Sequence, residues 1–322
     1  MITRRTFVRA AALATAPAAG VLHAQQFPAR AIRLIVPTAP GQTLDIVARH
    51  FSESLGRRMG VPMIVENRPG AGVSIGTDYV AKAPADGYSV LFGSMPHYVT
   101  PYVADFSANY DPVKDFTPIA MLAKTSMGIV VAAQSPHRTL ADLVRAMKAQ
   151  PGEVTFASGG NVTAAHLCMS LLNSRTQTTA KHVSYKNSTN GVMDVASGLV
   201  DFSCQGSGAI LPYIRSGKLR LLAVTGQRWD LMPNVPTAVE AGFAGVELNG
   251  WVGVLARAGT PLAIIQRLSD EFVRAGQQPE FKALCDAQQL TMDVFDHRKF
   301  AAQVPTYAAT FKRLALLSQG KS

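Results

Sequence analysis

Ala31-Ile32-Arg33-Leu34-Ile35-Val36-Pro37-Thr38-Ala39-Pro40-Gly41-Gln42-Thr43-Leu44-Asp45 opens as a strand, breaks at Pro37 and turns into a helix. From Gln42 to Arg58 the apolar residues fall at Leu44, Val47, Ala48, Phe51 and Leu55, which is one face of a helix. The same unit then repeats outward. Strands are expected over 62–66, 88–92, 129–133, 154–157, 181–185, 200–204 and 219–225, with helices over 74–82, 140–149, 163–172, 191–197 and 210–216. Strands alternating with helices of this length predict an α/β fold with mainly parallel sheets flanked by helices. The stretch from Met95 to Lys124 has few periodic elements and reads as a connection leaving one sheet. Near the end, a long strand over 246–256 is followed by helices over 261–275, 279–287 and 297–317, read without strands between them. A chain that leaves one lobe, builds a second and returns makes a two-lobe molecule with a cleft. The division expected is residues 25–125 plus 250–322 in one lobe and 126–249 in the other. Clefts between lobes are where small ligands bind.

The bulk properties narrow the function. The chain has 322 residues, 48% of them hydrophobic and 16% charged, so wholesale disorder is excluded. A net charge of +10 is moderate, and no basic run interleaved with aromatics appears, so no nucleic-acid partner is expected. The first twenty-four residues form a separate object. Arg4, Arg5 and Arg9 precede an apolar run from Ala10 to Leu22, with a cut expected after Ala24. This is the pattern of a secretory leader and looks like the twin-arginine type, and thirteen apolar residues are too few to span a bilayer. Without its three arginines the mature chain carries +7 and is expected in the periplasm. Cys168, Cys204 and Cys285 allow at most one bridge. Burial as free thiols is the commoner fate of cysteines in such apolar surroundings.

Signatures of catalysis are mostly absent. There is no phosphate loop or H-E-x-x-H, and no histidine pair at metal-ligand spacing, so neither cofactor nor metal is expected. Gly70-Ala71-Gly72-Val73-Ser74-Ile75-Gly76 has the wrong spacing for a dinucleotide turn. Ser207, between Gly206 and Gly208, lacks the elbow pattern. What recurs is small and hydroxyl residues at strand-to-helix turns: Pro37 to Asp45, Ser158-Gly159-Gly160-Asn161-Val162-Thr163, and Tyr185 to Asn190. Each offers backbone N–H groups at a positive helix end, suited to a carboxylate, although plain helix capping uses the same residues.

A resemblance joins these observations. Ile32-Arg33-Leu34-Ile35-Val36-Pro37, Pro40-Gly41 and Asp45-Ile46-Val47-Ala48-Arg49 resemble the opening of the tripartite tricarboxylate transporter receptors, or Bug receptors. The likeness continues through Val65-Glu66-Asn67-Arg68-Pro69-Gly70-Ala71-Gly72, Ala81 to Tyr88 and Tyr110 to Phe116. It runs on through Val183-Ser184-Tyr185-Lys186, Ser216 to Arg220, Val235-Pro236-Thr237 and Gly259-Thr260-Pro261. The resemblance implies a monomeric periplasmic solute-binding protein with a type II-like two-lobe fold. It would bind a small organic carboxylate and hand it to a two-component integral membrane permease or, alternatively, dock on a membrane sensor. The site residues it implies are Thr38, Gln42, Thr43, Asp45 and Ser94 from the first lobe. From the second come Ser158, Asn161, Val162, Thr163, His166 and Gln205. Three positions depart from the family pattern. Gln42 replaces a glycine, Asn187 replaces another, and Gln205 stands where an aspartate is common. The uncharged Gln205 suggests a preference for carboxylates that lack an ammonium group. A cleft hydrolase using Ser207 or Cys204 is the remaining alternative, with no base at a recognisable spacing.

Overall fold

Isoleucine, leucine and valine take four of the five positions of Ile32–Val36 (β1), and the buried residues of Thr43–Met59 (α1) recur at helical spacing until Gly60, at φ +70°, ends the helix. This is the unit on which the rest is built. The computed structural model describes residues 27–103, 108–160, 163–185 and 188–319. The expected leader, with Arg4, Arg5 and Ala24, and also Asn161, Val162 and Asn187, lie outside the described residues. After α1 come β2 (Met63–Asn67), α2 (Ser74–Ala81), β3 (Ser89–Ser94) and α3 (Pro96–Val99). Next are β4 (Phe116–Ala132), α4 (Leu140–Ala149), β5 (Thr155–Ser158), α5 (Ala164–Thr176) and β6 (Lys181–Ser184). α6 (Ser188–Ser197), β7 (Phe202–Gly206), α7 (Ser207–Arg215) and β8 (Leu219–Val224) follow. The chain closes with β9 (Asn249–Arg257), α8 (Leu262–Gly276), α9 (Pro279–Gln288), β10 (Thr291–Asp296) and α10 (His297–Leu317).

The strands form two sheets that share β4. In the first sheet the order is β2-β1-β3-β9-β4, with β10 on the free side of β4; in the second it is β6-β5-β7-β4, with β8 also on β4. Up to Ser126, β4 pairs with β9, and from Met127 onward it pairs with β7. The switch from one lobe to the other therefore falls inside a single strand. Parallel pairing holds for the strands joined through helices, β2-β1-β3 and β6-β5-β7. The returning strands β4, β8, β9 and β10 pair antiparallel, so the sheets are mixed.

Two stretches differ from the sequence reading. β4 starts at Phe116, inside the expected connection, because Pro118 and the polar run Lys124-Thr125-Ser126 hide a strand that is seventeen residues long. β10 intervenes between α9 and α10, where no strand was expected. Its Thr-Met-Asp-Val-Phe-Asp sequence has only Phe295 buried, which leaves no apolar run to read.

The cores separate by sheet face. Phe51, Phe92, Phe272 and Phe281 pack beneath α1 and α8, while Trp251 sits among Tyr98, Phe300 and Tyr307. His97 is a core histidine. It lies 2.9 Å from the Pro112 carbonyl and stacks on Tyr110, and burial pushes its pKa down to about 4, so it is neutral. Cys168 of α5 and Cys204 of β7 form a disulfide, with Cα atoms 6.4 Å apart, and Cys285 is a buried free thiol. Burial raises the Cys285 pKa to about 12, so the thiol stays protonated.

Candidate binding site

Three strands end in turns that launch helices toward one space. β1 feeds α1 at Thr43, β5 feeds α5 at Ala164, and β7 feeds α7 at Ser207. A cavity of about 310 Å³ is lined by Thr43, by Gly159 and Thr163 to Ala165, and by Gln205 to Gly208. Its remaining wall is the crossing segment Thr125 to Met127 and the turn Gln288 to Leu290. The first turns of α1, α5 and α7 thus border one volume, with α1 from one lobe and α5 and α7 from the other. None of the lining residues is charged. The attraction for an anion comes from helix ends and backbone N–H groups. The capping residues Gln42 of α1 and Gly206 of α7 make no side-chain cap bond, which leaves first-turn donors for a ligand.

Of the expected site residues, Thr43, Thr163 and Gln205 line this cavity; Thr38, Gln42, Asp45, Ser94, Ser158 and His166 stand outside its wall. Gln205 is buried, and its Nε2 donates to Ser203 Oγ at 3.0 Å, while Ser203 Oγ donates to the Ala157 carbonyl at 2.8 Å. Thr163 Oγ1 accepts from His166 N at 3.4 Å and donates to Gly160 O at 2.8 Å. Its hydroxyl therefore caps α5 and ties the turn. Thr163→Ala is expected to cost about 1 kcal/mol of stability, with Thr163→Ser restoring it in urea unfolding. An alanine variant with an unchanged midpoint would mean that the Thr163 hydroxyl does not stabilise α5.

Asp45 holds the first turn from behind. Its carboxylate accepts from Gly41 N at 2.8 Å, Arg49 Nε at 2.9 Å and Asn67 Nδ2 at 2.9 Å. Burial would raise its pKa, but the hydrogen bonds from Arg49, Gly41 and Asn67 outweigh burial and hold it below the ordinary 3.8. Asp45→Ala is expected to cost about 2 kcal/mol, the scale of losing a charged hydrogen-bond acceptor. A carboxyl with a lowered native pKa contributes its stability at neutral pH and loses it as pH falls through that value. Below pH ~4 the wild type should therefore lose more stability than Asp45→Asn, and parallel pH profiles would contradict this. Thr38 lies beside it, its carbonyl accepting from Asn67 Nδ2 at 3.1 Å. Ser94 ends β3 opposite Val252.

Sequence reasoning missed the crossing segment, Gly206 to Gly208 and Gln288 to Leu290. Gly206-Ser207-Gly208 carries the same strand-to-helix signature as the turns it did find. Gln289 has no local signal, since it reaches the cavity through a left-handed residue, φ +57°, that ends α9. Ser207 Oγ donates to Gln289 O at 3.1 Å, linking one lobe to the other, and Cys204 is held in the disulfide. Both nucleophile candidates are thus engaged elsewhere. Among the described residues no group of three His, Cys, Asp or Glu is placed to hold a metal, and no helix is long and apolar enough to cross a membrane.

Comparison with known proteins follows the same lines. Residues 47–310 match the family described as the tripartite tricarboxylate transporter family receptor. The chain is similar to protein BugT of Bordetella pertussis, 35% identical over 288 residues that cover 89% of this chain and 87% of BugT. Among solved structures it resembles an R. palustris protein with adipate, with a TM-score of 0.77, 28% identity, and coverage of 91% of this chain and 98% of that one. It also resembles MatC from Rhodopseudomonas palustris with bound malate, with a TM-score of 0.73, 25% identity, and coverage of 90% and 100%.

Proposed function

The chain belongs to the tripartite tricarboxylate transporter receptor family of periplasmic solute-binding proteins, and from that premise we propose that it binds a small organic carboxylate between its lobes and delivers it to a two-component membrane permease. The observation that carries this reading is the meeting of three helix N-termini, contributed by both lobes, at one cavity without charged side chains. An acid lying there accepts hydrogen bonds from first-turn N–H groups on both sides, so binding favours closure of the lobes. Thr43, Thr163 and Gln205 are the expected residues nearest the ligand, with Asp45 and Ser158 holding the turns. Gln205 adds a neutral amide that both donates and accepts. A volume of about 310 Å³ is at the small end for ligand sites and suits a compact acid. Export by the twin-arginine leader, with cleavage near Ala24, belongs to the same proposal.

Neighbours with adipate and malate make these the first acids to try. A thermal-shift panel of aliphatic, hydroxy and aromatic carboxylates tests the reading. An acid at ~100 times its dissociation constant stabilises the native state by ~2.7 kcal/mol, which moves the melting curve. No shift with any member of the panel would count against it.

A further inference from the structure

Ser158 ends β5 at the entrance to the second-lobe turn, yet it has no exposed surface, and its hydroxyl faces His182 on the edge strand β6. Ser158 Oγ is 2.6 Å from His182 Nε2 and 3.3 Å from Gly160 O. That carbonyl already receives Thr163 Oγ1 at 2.8 Å and Thr163 N at 3.2 Å. The single hydroxyl proton therefore goes to His182 Nε2, which makes the imidazole neutral with its own proton on Nδ1, a tautomer assigned from the network. Burial lowers the His182 pKa, in keeping with a neutral ring. With its proton committed to His182, Ser158 Oγ accepts the Gly160 N–H at 3.1 Å. Gly160 stands at φ +113°, a backbone state that no side chain of its own secures. The neighbouring Gly159 lines the cavity, so the orientation of this peptide shapes the cavity wall. The His182 ring is itself fixed, stacked on Phe156 at 4.7 Å and 4.7 Å from His166.

We propose that His182 is a positioning residue for ligand binding: it touches no ligand, but through Ser158 it holds the Gly159–Gly160 turn in its anion-accepting shape. The inference rests on the carboxylate reading above. It gives Ser158 a role behind the cavity wall. With the serine buried, the Ser158–His182 contact presents no nucleophile to a ligand.

Two variants separate the hydrogen bond from the packing. His182→Leu keeps an apolar body against Phe156 and removes the acceptor, while His182→Gln retains a side-chain oxygen able to accept from Ser158. The readouts are the dissociation constants for adipate and malate by calorimetry, and amide hydrogen exchange at Gly160 in the ligand-free protein. His182→Leu is expected to weaken acid binding ~10-fold and to speed Gly160 exchange ~10-fold, the scale of one lost hydrogen bond. His182→Gln is expected to stay near the wild type in both, and Ser158→Ala to reproduce the leucine variant. Wild-type affinity and exchange in His182→Leu would overturn the proposal. So would a glutamine variant as impaired as the leucine one, since packing alone would then explain the effect. If the wild type takes up neither acid, the carboxylate reading is what fails, and the exchange comparison still decides whether His182 holds the turn.

Discussion

Replacing Cys168 and Cys204 together by alanine is expected to lower unfolding stability by about 4 kcal/mol, the largest loss foreseen for this molecule. The bridge closes a loop of sequence separation 36, and its removal returns that conformational freedom to the unfolded chain. It also joins the two elements that carry part of the cavity: Cys204 precedes Gln205 on β7, and Cys168 lies one turn beyond Ala164 on α5. Urea unfolding of the oxidised protein, the reduced protein and the double variant reads the effect. The reduced and variant proteins should fall together, well below the oxidised one. Alkylation after unfolding without reductant should label Cys285 alone. Labelling of all three cysteines, or unchanged stability on reduction, would contradict the bridge.

Ala164→Asp is expected to move stability and affinity in opposite directions. Position 164 is the first residue of α5 and borders the cavity. A carboxylate there interacts favourably with the helix end, by ~0.3–1 kcal/mol, so the fold should be as stable as before or slightly more so. The same charge occupies the place proposed for the ligand. At ~5 Å and an effective dielectric of ~20, its repulsion of an acid is about 3 kcal/mol, or roughly a hundredfold in affinity. Ala164→Asn supplies the size without the charge and should bind far more tightly than the aspartate variant. Equal affinities of the two variants for the same acid would mean that no anion sits at this helix end.

Much of the architecture is legible in local pattern. The strand, break and amphipathic helix from Ile32 to Met59 repeat through both lobes, and apolar periodicity suffices to find them. The pattern fails where an element draws its stability from neighbours. β4 passes through polar residues at the crossing because β9, β7 and β8 clothe it in turn, and β10 is held by its pairing with β4. The site divides in the same way. Strand-to-helix turns are visible in sequence, which brings Thr43 and Thr163 into view. Which turns share one cavity depends on the folding of two sheets around a single strand. Asp45 and Ser158 illustrate the consequence: their polar side chains stand at the right turns but face inward, holding the backbone that borders the cavity. The Cys168–Cys204 bridge runs against the sequence reading, which favours free buried thiols: apolar surroundings suit a thiol as well as a bridge, and only the packing of α5 on β7 brings these two cysteines together.

Carboxylate recognition in the cleft is tested most directly by a calorimetric titration of the tightest-binding acid from the panel against its own amide. The amide keeps the shape and removes the charge for which helix N-termini are the proposed partners. Saturable one-to-one binding of the acid is expected, with the amide weaker by at least ~2 kcal/mol, about thirtyfold, as for losing a hydrogen bond to a charged group. An amide that binds within about threefold of the acid would contradict carboxylate recognition in this cleft.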